Sequence, residues 1–182
     1  STKIYFSKKN TKIAGNANYI SSNGYDLVDF DDTQTVQPFN RISKAFYIEN
    51  DLKKLGRTQV KIRSYIENKD ETIFINEPGF NPKSKTNEYN IYLKYINKLQ
   101  KKTSLFFEYY NTLFNNRESL LVNGSSQNYE FKQSISRYEL RLNNKINNNL
   151  SIDLGIGINQ EYVDRTNFDK KENLSSEYLY LQ

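Results

Sequence analysis

The 182-residue chain contains no cysteine and no histidine. Without cysteine it forms neither a disulfide nor a reactive thiol. Together the two absences remove the usual ligands of zinc and other transition metals, and nearly every acid–base or nucleophilic site that is built on an imidazole. We therefore predict that the chain is not an enzyme and that it holds no cofactor.

Long apolar runs and dense runs of one charge are also missing. No stretch approaches the roughly 20 apolar residues that a membrane helix needs, so any passage through a bilayer would have to use strands. The net charge of +5 is spread along the chain, without a Lys/Arg-rich run or an RNA-binding signature. We accordingly expect no nucleic-acid partner.

Aromatic residues are abundant, with 15 Tyr and 11 Phe, although the apolar fraction is only 36%. This aromatic content argues against disorder. Amphipathic rings with little aliphatic content suit a sheet that meets lipid on one face and water on the other. We predict that residues 1–182 form a single β-barrel domain; the alternative is a soluble β-sandwich or a lipocalin-like binding module.

Short polar turns recur at a nearly constant interval, at residues 51–56, 97–102 and 143–149. The spacing of about 46 residues leaves room for two strands of about ten residues, one tight turn and one long loop. Short turns would then lie on one side of a membrane and long loops on the other. The long loops are predicted over residues 21–38, 68–86, 113–127 and 163–173.

Period-two alternation predicts the strands and separates their two faces. In residues 150–158 every second side chain is aliphatic, and those between are small or polar. The predicted lipid-facing residues are Ile91, Leu93, Leu105, Phe107, Leu140, Leu142, Leu150, Ile152, Leu154, Ile156 and Ile158. The predicted lumen-lining residues, which form either a water-filled pore or a plug of paired charges, are Arg41, Glu49, Lys61, Arg63, Lys94, Glu108, Arg137, Glu139, Arg141 and Asp153.

The number of strands decides between these two interpretations. From Thr11 onward the pattern predicts eight antiparallel strands, whereas residues 1–10 are either one more strand or an aqueous tail. Single-chain barrels of bacteria have an even number of strands, and an eight-stranded barrel is filled by its own side chains. A ninth strand would indicate a segment of a larger barrel.

Two of the predicted loops carry residues with a further interpretation. The first contains Asp26, Asp29, Asp31 and Asp32, whose carboxylates are the kind of ligand that binds Ca²⁺. Their spacing lacks the glycine and the distal glutamate of a helix-loop-helix calcium site, so a solvated acidic loop is the simpler interpretation. In the second loop, residues 72–80 are partly apolar and would fold inward as a constriction, contact a partner, or pack against neighbouring loops.

In its turns, loops and alternating strands the chain resembles bacterial outer-membrane β-barrel proteins over nearly its full length. The resemblance implies an outer-membrane location, contact with its lipid, and a porin- or exporter-type pore for a small solute or an exported polymer. The alternative is a small closed barrel that binds a surface partner through its long loops or serves as a structural envelope protein. Such proteins usually end on an aromatic residue; because this chain ends on Gln182, we expect it to be truncated or to continue.

Overall fold

A computed structural model describes residues 1–25, 36–70, 82–122, 125–147, 150–166 and 170–182. The described residues form nine β-strands and one 3-10 turn, Lys53–Leu55. In chain order the strands are β1 (Thr2–Lys8), β2 (Thr11–Ser22), β3 (Phe39–Asp51), β4 (Arg57–Asp70), β5 (Lys83–Lys98), β6 (Thr103–Val122), β7 (Ser125–Lys145), β8 (Ser151–Arg165) and β9 (Lys170–Leu181). Within these ranges there is no helix long and apolar enough to cross a membrane.

Each strand pairs antiparallel with its neighbours in the chain, and the strands together make one sheet. The predicted all-β antiparallel meander is thus confirmed. The eight strands predicted from Thr11 onward are present as β2 to β9. Of the two alternatives for residues 1–10, the structure shows the additional strand: residues 2–8 pair with residues 11–17, across a turn in which Lys9 has a φ of 49°. In the part of the chain that the structure describes, β1 and β9 are the two edges and do not pair with each other, so the sheet is open.

The three short polar turns connect β3 to β4, β5 to β6 and β7 to β8 at one end of the sheet, which we call the turn end. The first turn is closed by the amide of Leu52, which donates to the carbonyl oxygen of Gly56 at 2.7 Å. Gly56 has a φ of 106°, and a Cβ there would lie 2.3 Å from the carbonyl oxygen of Ile96. Only glycine fits this position without displacing the neighbouring strand.

At the opposite end, the loop end, all four connections between strands are shorter than the predicted loops, and two of them are reduced to a few residues. The loop predicted over residues 113–127 is wrong, since β6 continues to Val122 and β7 begins at Ser125. The loop predicted over residues 163–173 is reduced in the same way by β8 and β9. Apolar alternation stops at this end because both faces carry polar side chains, but the ladder continues because its hydrogen bonds are made by the backbone.

The register places the alternating side chains on two faces of different chemistry. The apolar face includes Phe46, Ile62, Ile91, Phe107, Leu140 and Ile156. The polar face includes Tyr47, Lys61, Tyr92, Tyr110 and Arg137, which form one register row. No aliphatic or aromatic side chain in the described ranges is buried, so the described residues form no second layer over either face of this sheet.

The apolar side chains form a belt that crosses the sheet obliquely. Its reference row consists of Ile48, Val60, Leu93, Tyr109, Tyr138 and Ile158. In β3 the apolar residues Ile42 and Phe46 lie on the loop side of this row, whereas in β8 Ile152, Leu154 and Ile156 lie on its turn side. In a barrel the strands tilt with respect to the axis. An apolar belt at a constant position along that axis must therefore shift along each successive strand, as it does here.

Candidate functional site

All ten residues predicted to line a lumen lie on the polar face, between β3 and β8. They do not form one continuous site. The structure separates them into a cluster around two glutamates in β5–β9, several isolated pairs, and two basic residues in β4. The ten predicted lipid-facing residues that lie in β5–β8 likewise share one face, the apolar face, whereas Leu150 lies just before β8 begins.

The glutamate cluster is built around Glu108 and Glu139, which are directly opposite each other on β6 and β7. Like charges in opposite positions destabilise a sheet unless cations separate or neutralise them. Lys94 supplies one such cation, with its Nζ 2.6 Å from Oε1 of Glu108, and Arg141 supplies another, with its Nη2 3.6 Å from the same oxygen. The hydroxyl of Tyr92 donates to the second oxygen of Glu108 at 3.1 Å.

Glu139 is one of the few buried polar residues, with 7% of its surface exposed. It is paired with the guanidinium of Arg137. Two tyrosines of β9 donate to it as well, the hydroxyl of Tyr178 at 2.8 Å and that of Tyr180 at 2.9 Å. Each carboxylate oxygen therefore has a charged or hydroxyl donor, which is what a buried carboxylate requires.

The two tyrosines reach Glu139 because β8 presents no side chain beneath their rings. Gly155 pairs with Tyr180 and Gly157 with Tyr178. A Cβ on Gly155 would lie 2.4 Å from the Tyr180 ring, and a Cβ on Gly157 would lie 2.3 Å from the Tyr178 ring. The aromatic rings thus cover the glycine backbone and fix the register of the last strand pair. We include Tyr92, Tyr178 and Tyr180 in the glutamate cluster; the sequence prediction missed all three.

Three further pairs hold predicted lumen residues outside this cluster. Glu49 accepts from the Nζ of Lys12 at 3.1 Å and from the hydroxyl of Tyr47 at 2.6 Å. Arg41 is paired with Glu67 across β3 and β4 at 2.5 Å. These pairs extend the neutralised part of the polar face to both ends of β3.

At the turn end of β7 and β8, Asp153 accepts a hydrogen bond from the Nδ2 of Asn143 at 2.6 Å. This contact crosses the strand pair that also carries Arg141 and Gly155. Asp153 therefore has an amide as its hydrogen-bond donor, and it forms no ion pair with any described cationic side chain.

Lys61 and Arg63 differ from the other predicted lumen residues. No carboxylate in the described ranges lies within ion-pair distance of either side chain. The Nζ of Lys61 lies over the rings of Tyr47 and Tyr92, 5.8 and 5.4 Å from their centres. Tyrosine faces attract a cation without cancelling its charge, so this part of the polar face stays positive.

Metal-binding chemistry finds no support in the described ranges, where no three His, Cys, Asp or Glu side chains come together. The calcium candidates Asp26, Asp29, Asp31 and Asp32 lie outside the described residues, as does the apolar loop segment 72–80. The chain matches no protein-family model, no curated protein and no solved structure. Function must therefore be inferred from the chemistry of the two faces.

Proposed function

We propose that this chain is part of a bacterial outer-membrane β-barrel, and that its polar face lines a water-filled passage for a solute or an exported polymer. The observation that carries the proposal is the separation of an uncovered aliphatic face from a charged face on one sheet. A sheet with these two faces needs lipid on one side and water on the other.

The apolar face supports contact with lipid. On β7 and β8, the exposed fractions of Leu140, Leu154 and Ile156 are 45, 47 and 54%. Contiguous apolar patches larger than a few hundred Å² are rare on soluble monomers, because each Å² left in water costs about 25 cal/mol. A soluble sandwich or lipocalin-like module would need something to cover this face, and the described residues supply no such layer.

The polar face supports contact with water. An arginine or lysine turned towards lipid at the middle of a bilayer costs roughly 2–4 kcal/mol. Arg63, Lys94, Arg137 and Arg141 share one face, and their charges support the proposal that this side of the sheet is in contact with water. Inside a bilayer the free backbone groups of β1 and β9 also need partners, so the proposed barrel includes strand pairing at both edges.

A second function has one observation in its favour. The glutamate cluster is densely paired and partly buried, as expected for a plug of side chains in a small barrel. In that case the barrel would not conduct, and it would act as a surface-binding or structural envelope protein.

Conductance separates the two functions. The protein is folded in detergent, its folding is checked by heat-modifiable gel mobility, and it is added to planar lipid bilayers. We expect conductance steps, and a shift of the reversal potential towards cations in Arg63→Glu. Folded, heat-modifiable protein without conductance would support the closed barrel, and a protein that stays monomeric without detergent would contradict both membrane functions.

A further inference from the structure

One register row of the polar face joins two cations through small and amide side chains. The row runs Lys3, Asn16, Ala45, Arg63 and Asn90 across β1 to β5. Three strand spacings of about 4.8 Å separate the backbones of Lys3 and Arg63. The side chains between them, Asn16 and Ala45, are short. The long side chains of Lys3 and Arg63 therefore border a depression in the sheet surface.

The depression is a cavity of about 580 Å³. It is lined by Lys3 and Arg63, by the amides Asn16, Asn18 and Asn90, and by Ser43, Ala45 and Tyr65. Amide and hydroxyl groups beside an arginine fork are the donors with which proteins bind oxyanions. The cavity volume is within the usual range for small-molecule sites.

The charge balance of the cavity favours an anion. The described cationic residues that line it are Lys3, Lys44 and Arg63. Lys61 lies outside the lining, two residues from Arg63 on the same face of β4; we call Lys3, Lys61 and Arg63 the basic patch. Among the described residues one carboxylate lines the cavity, that of Glu88, which accepts a hydrogen bond from the Nδ2 of Asn90 at 2.6 Å. Arg63 thus faces the cavity with its charge unmatched among the described residues.

We propose that this cavity binds an oxyanion, a phosphate or carboxylate group carried by a small solute that enters the passage. The inference rests on the proposed function, because it requires the polar face to be in contact with water. Arg63 supplies the fork, Lys3 the opposing charge, and Glu88 limits the affinity so that the solute is released again. A pore site must bind weakly enough to let its solute leave.

Equilibrium dialysis with radiolabelled inorganic phosphate tests the site in detergent-folded protein, without a membrane current. We expect saturable binding of one phosphate per chain, at least about tenfold weaker in Arg63→Gln and weaker also in Lys3→Gln. Glu88→Gln should bind more tightly, because it removes the one negative charge that the described residues contribute to the lining of the cavity. Acetate should displace the bound phosphate more effectively than chloride does, if the site also binds carboxylates. Equal displacement by the two anions would indicate a general salt effect.

Two variants keep the test decisive. Lys98→Gln removes an equal charge from the polar face outside the cavity, and Arg63→Lys keeps the charge but loses the fork. If Lys98→Gln weakens binding as much as Arg63→Gln, or if the folded protein binds no phosphate, the site is refuted. Arg63-dependent binding without conductance would retain the site and refute the pore, whereas conductance without binding would do the reverse.

Discussion

Two regions of the polar face, the glutamate cluster and the basic patch, both contain charged residues but arrange them differently. In the glutamate cluster of β5–β9, each carboxylate is surrounded by cations and tyrosine hydroxyls, and Glu139 is buried. In the basic patch of β1 and β4, the cations are exposed and the described residues offer them no matching carboxylate. The first arrangement stabilises the sheet, whereas the second leaves charge available to a ligand. A list of charged residues on one face does not distinguish the two.

The largest effect is expected where the glutamate cluster depends on glycine. In Gly157→Ala the new methyl group would meet the Tyr178 ring at 2.3 Å, so the ring must move away from Glu139. Overpacking and the loss of a hydrogen bond to a charged group together cost about 3 kcal/mol. The free energy of unfolding in urea, measured in detergent, should fall by that amount.

Gly15→Ala is the matched control for this substitution. Gly15 also lies inside a strand, but a Cβ there would have its nearest contact at 3.8 Å, the carbonyl oxygen of Ala45. Replacing glycine by alanine in an extended strand with free space is neutral or slightly stabilising. Equal losses in both variants would show that the tyrosine cover contributes nothing specific.

Glu139→Gln removes the charge of the glutamate cluster without changing its shape. Arg137 would lose its carboxylate partner, and the two tyrosine hydroxyls would donate to a neutral group. We expect a loss of about 2 kcal/mol in the free energy of unfolding, since hydrogen bonds to charged groups contribute about 1.5–3 kcal/mol. Glu118→Gln, at an exposed glutamate of the same face, should change it by less than about 0.5 kcal/mol. A loss below that limit in Glu139→Gln would contradict a stabilising cluster.

Glu130, at the loop end of β7, is paired with cations like the carboxylates of the glutamate cluster, but its two cations are exposed like those of the basic patch. It lies beyond the apolar belt, outside the proposed membrane-spanning part. Hydrogen bonds from Lys132 and then Arg117 lower the pKa of its carboxyl to about 2. A carboxyl whose pKa is lowered on folding stabilises the fold above its unfolded pKa of about 4.3, and this contribution is lost as the pH falls towards 2.

The contribution of Glu130 should be small, less than about 1 kcal/mol, because both of its cations are largely exposed. Titration of the carboxyl ¹³C signal of Glu130 gives its pKa directly. A midpoint near 4.3 would show that the ion pairs do not form in solution. In Glu130→Gln, the difference in stability between pH 6 and pH 2.5 should shrink by the same small amount.

Alternation alone predicted the turn-end part of the sheet. The aliphatic residues of β8 alternate with Gly155 and Gly157, and short polar turns bound the hairpins, so strands and faces follow from spacing. The loop-end halves of β6 and β7 could not be found in this way. There, pairs such as Arg117 with Glu130 occupy strand positions, and polar side chains on both faces look like a loop.

The contacts that distinguish the two regions of the polar face also escaped prediction. The sequence contains Gly155-x-Gly157 and Tyr178-x-Tyr180, both with a spacing of two, which is a usable signal for rings that cover glycines. Which tyrosine meets which glycine depends on the register of β8 and β9, and the length of their connection was predicted too long. Side-chain pairing across strands depends on the register. The sequence alone therefore could not predict that Arg63 forms no ion pair with a described carboxylate.

Arg63→Gln should have the smallest effect, changing the free energy of unfolding by less than about 0.5 kcal/mol. This small value distinguishes the basic patch most clearly from the glutamate cluster. The side chain is exposed, makes no ion pair with a described carboxylate, and lines a cavity that is wet in the proposed barrel. Like Glu139→Gln, it removes one charge from the polar face, but it should leave the urea midpoint unchanged while phosphate binding weakens. If Arg63→Gln destabilises the protein as much as Glu139→Gln, then Arg63 is structural. The polar face would then be a plug throughout.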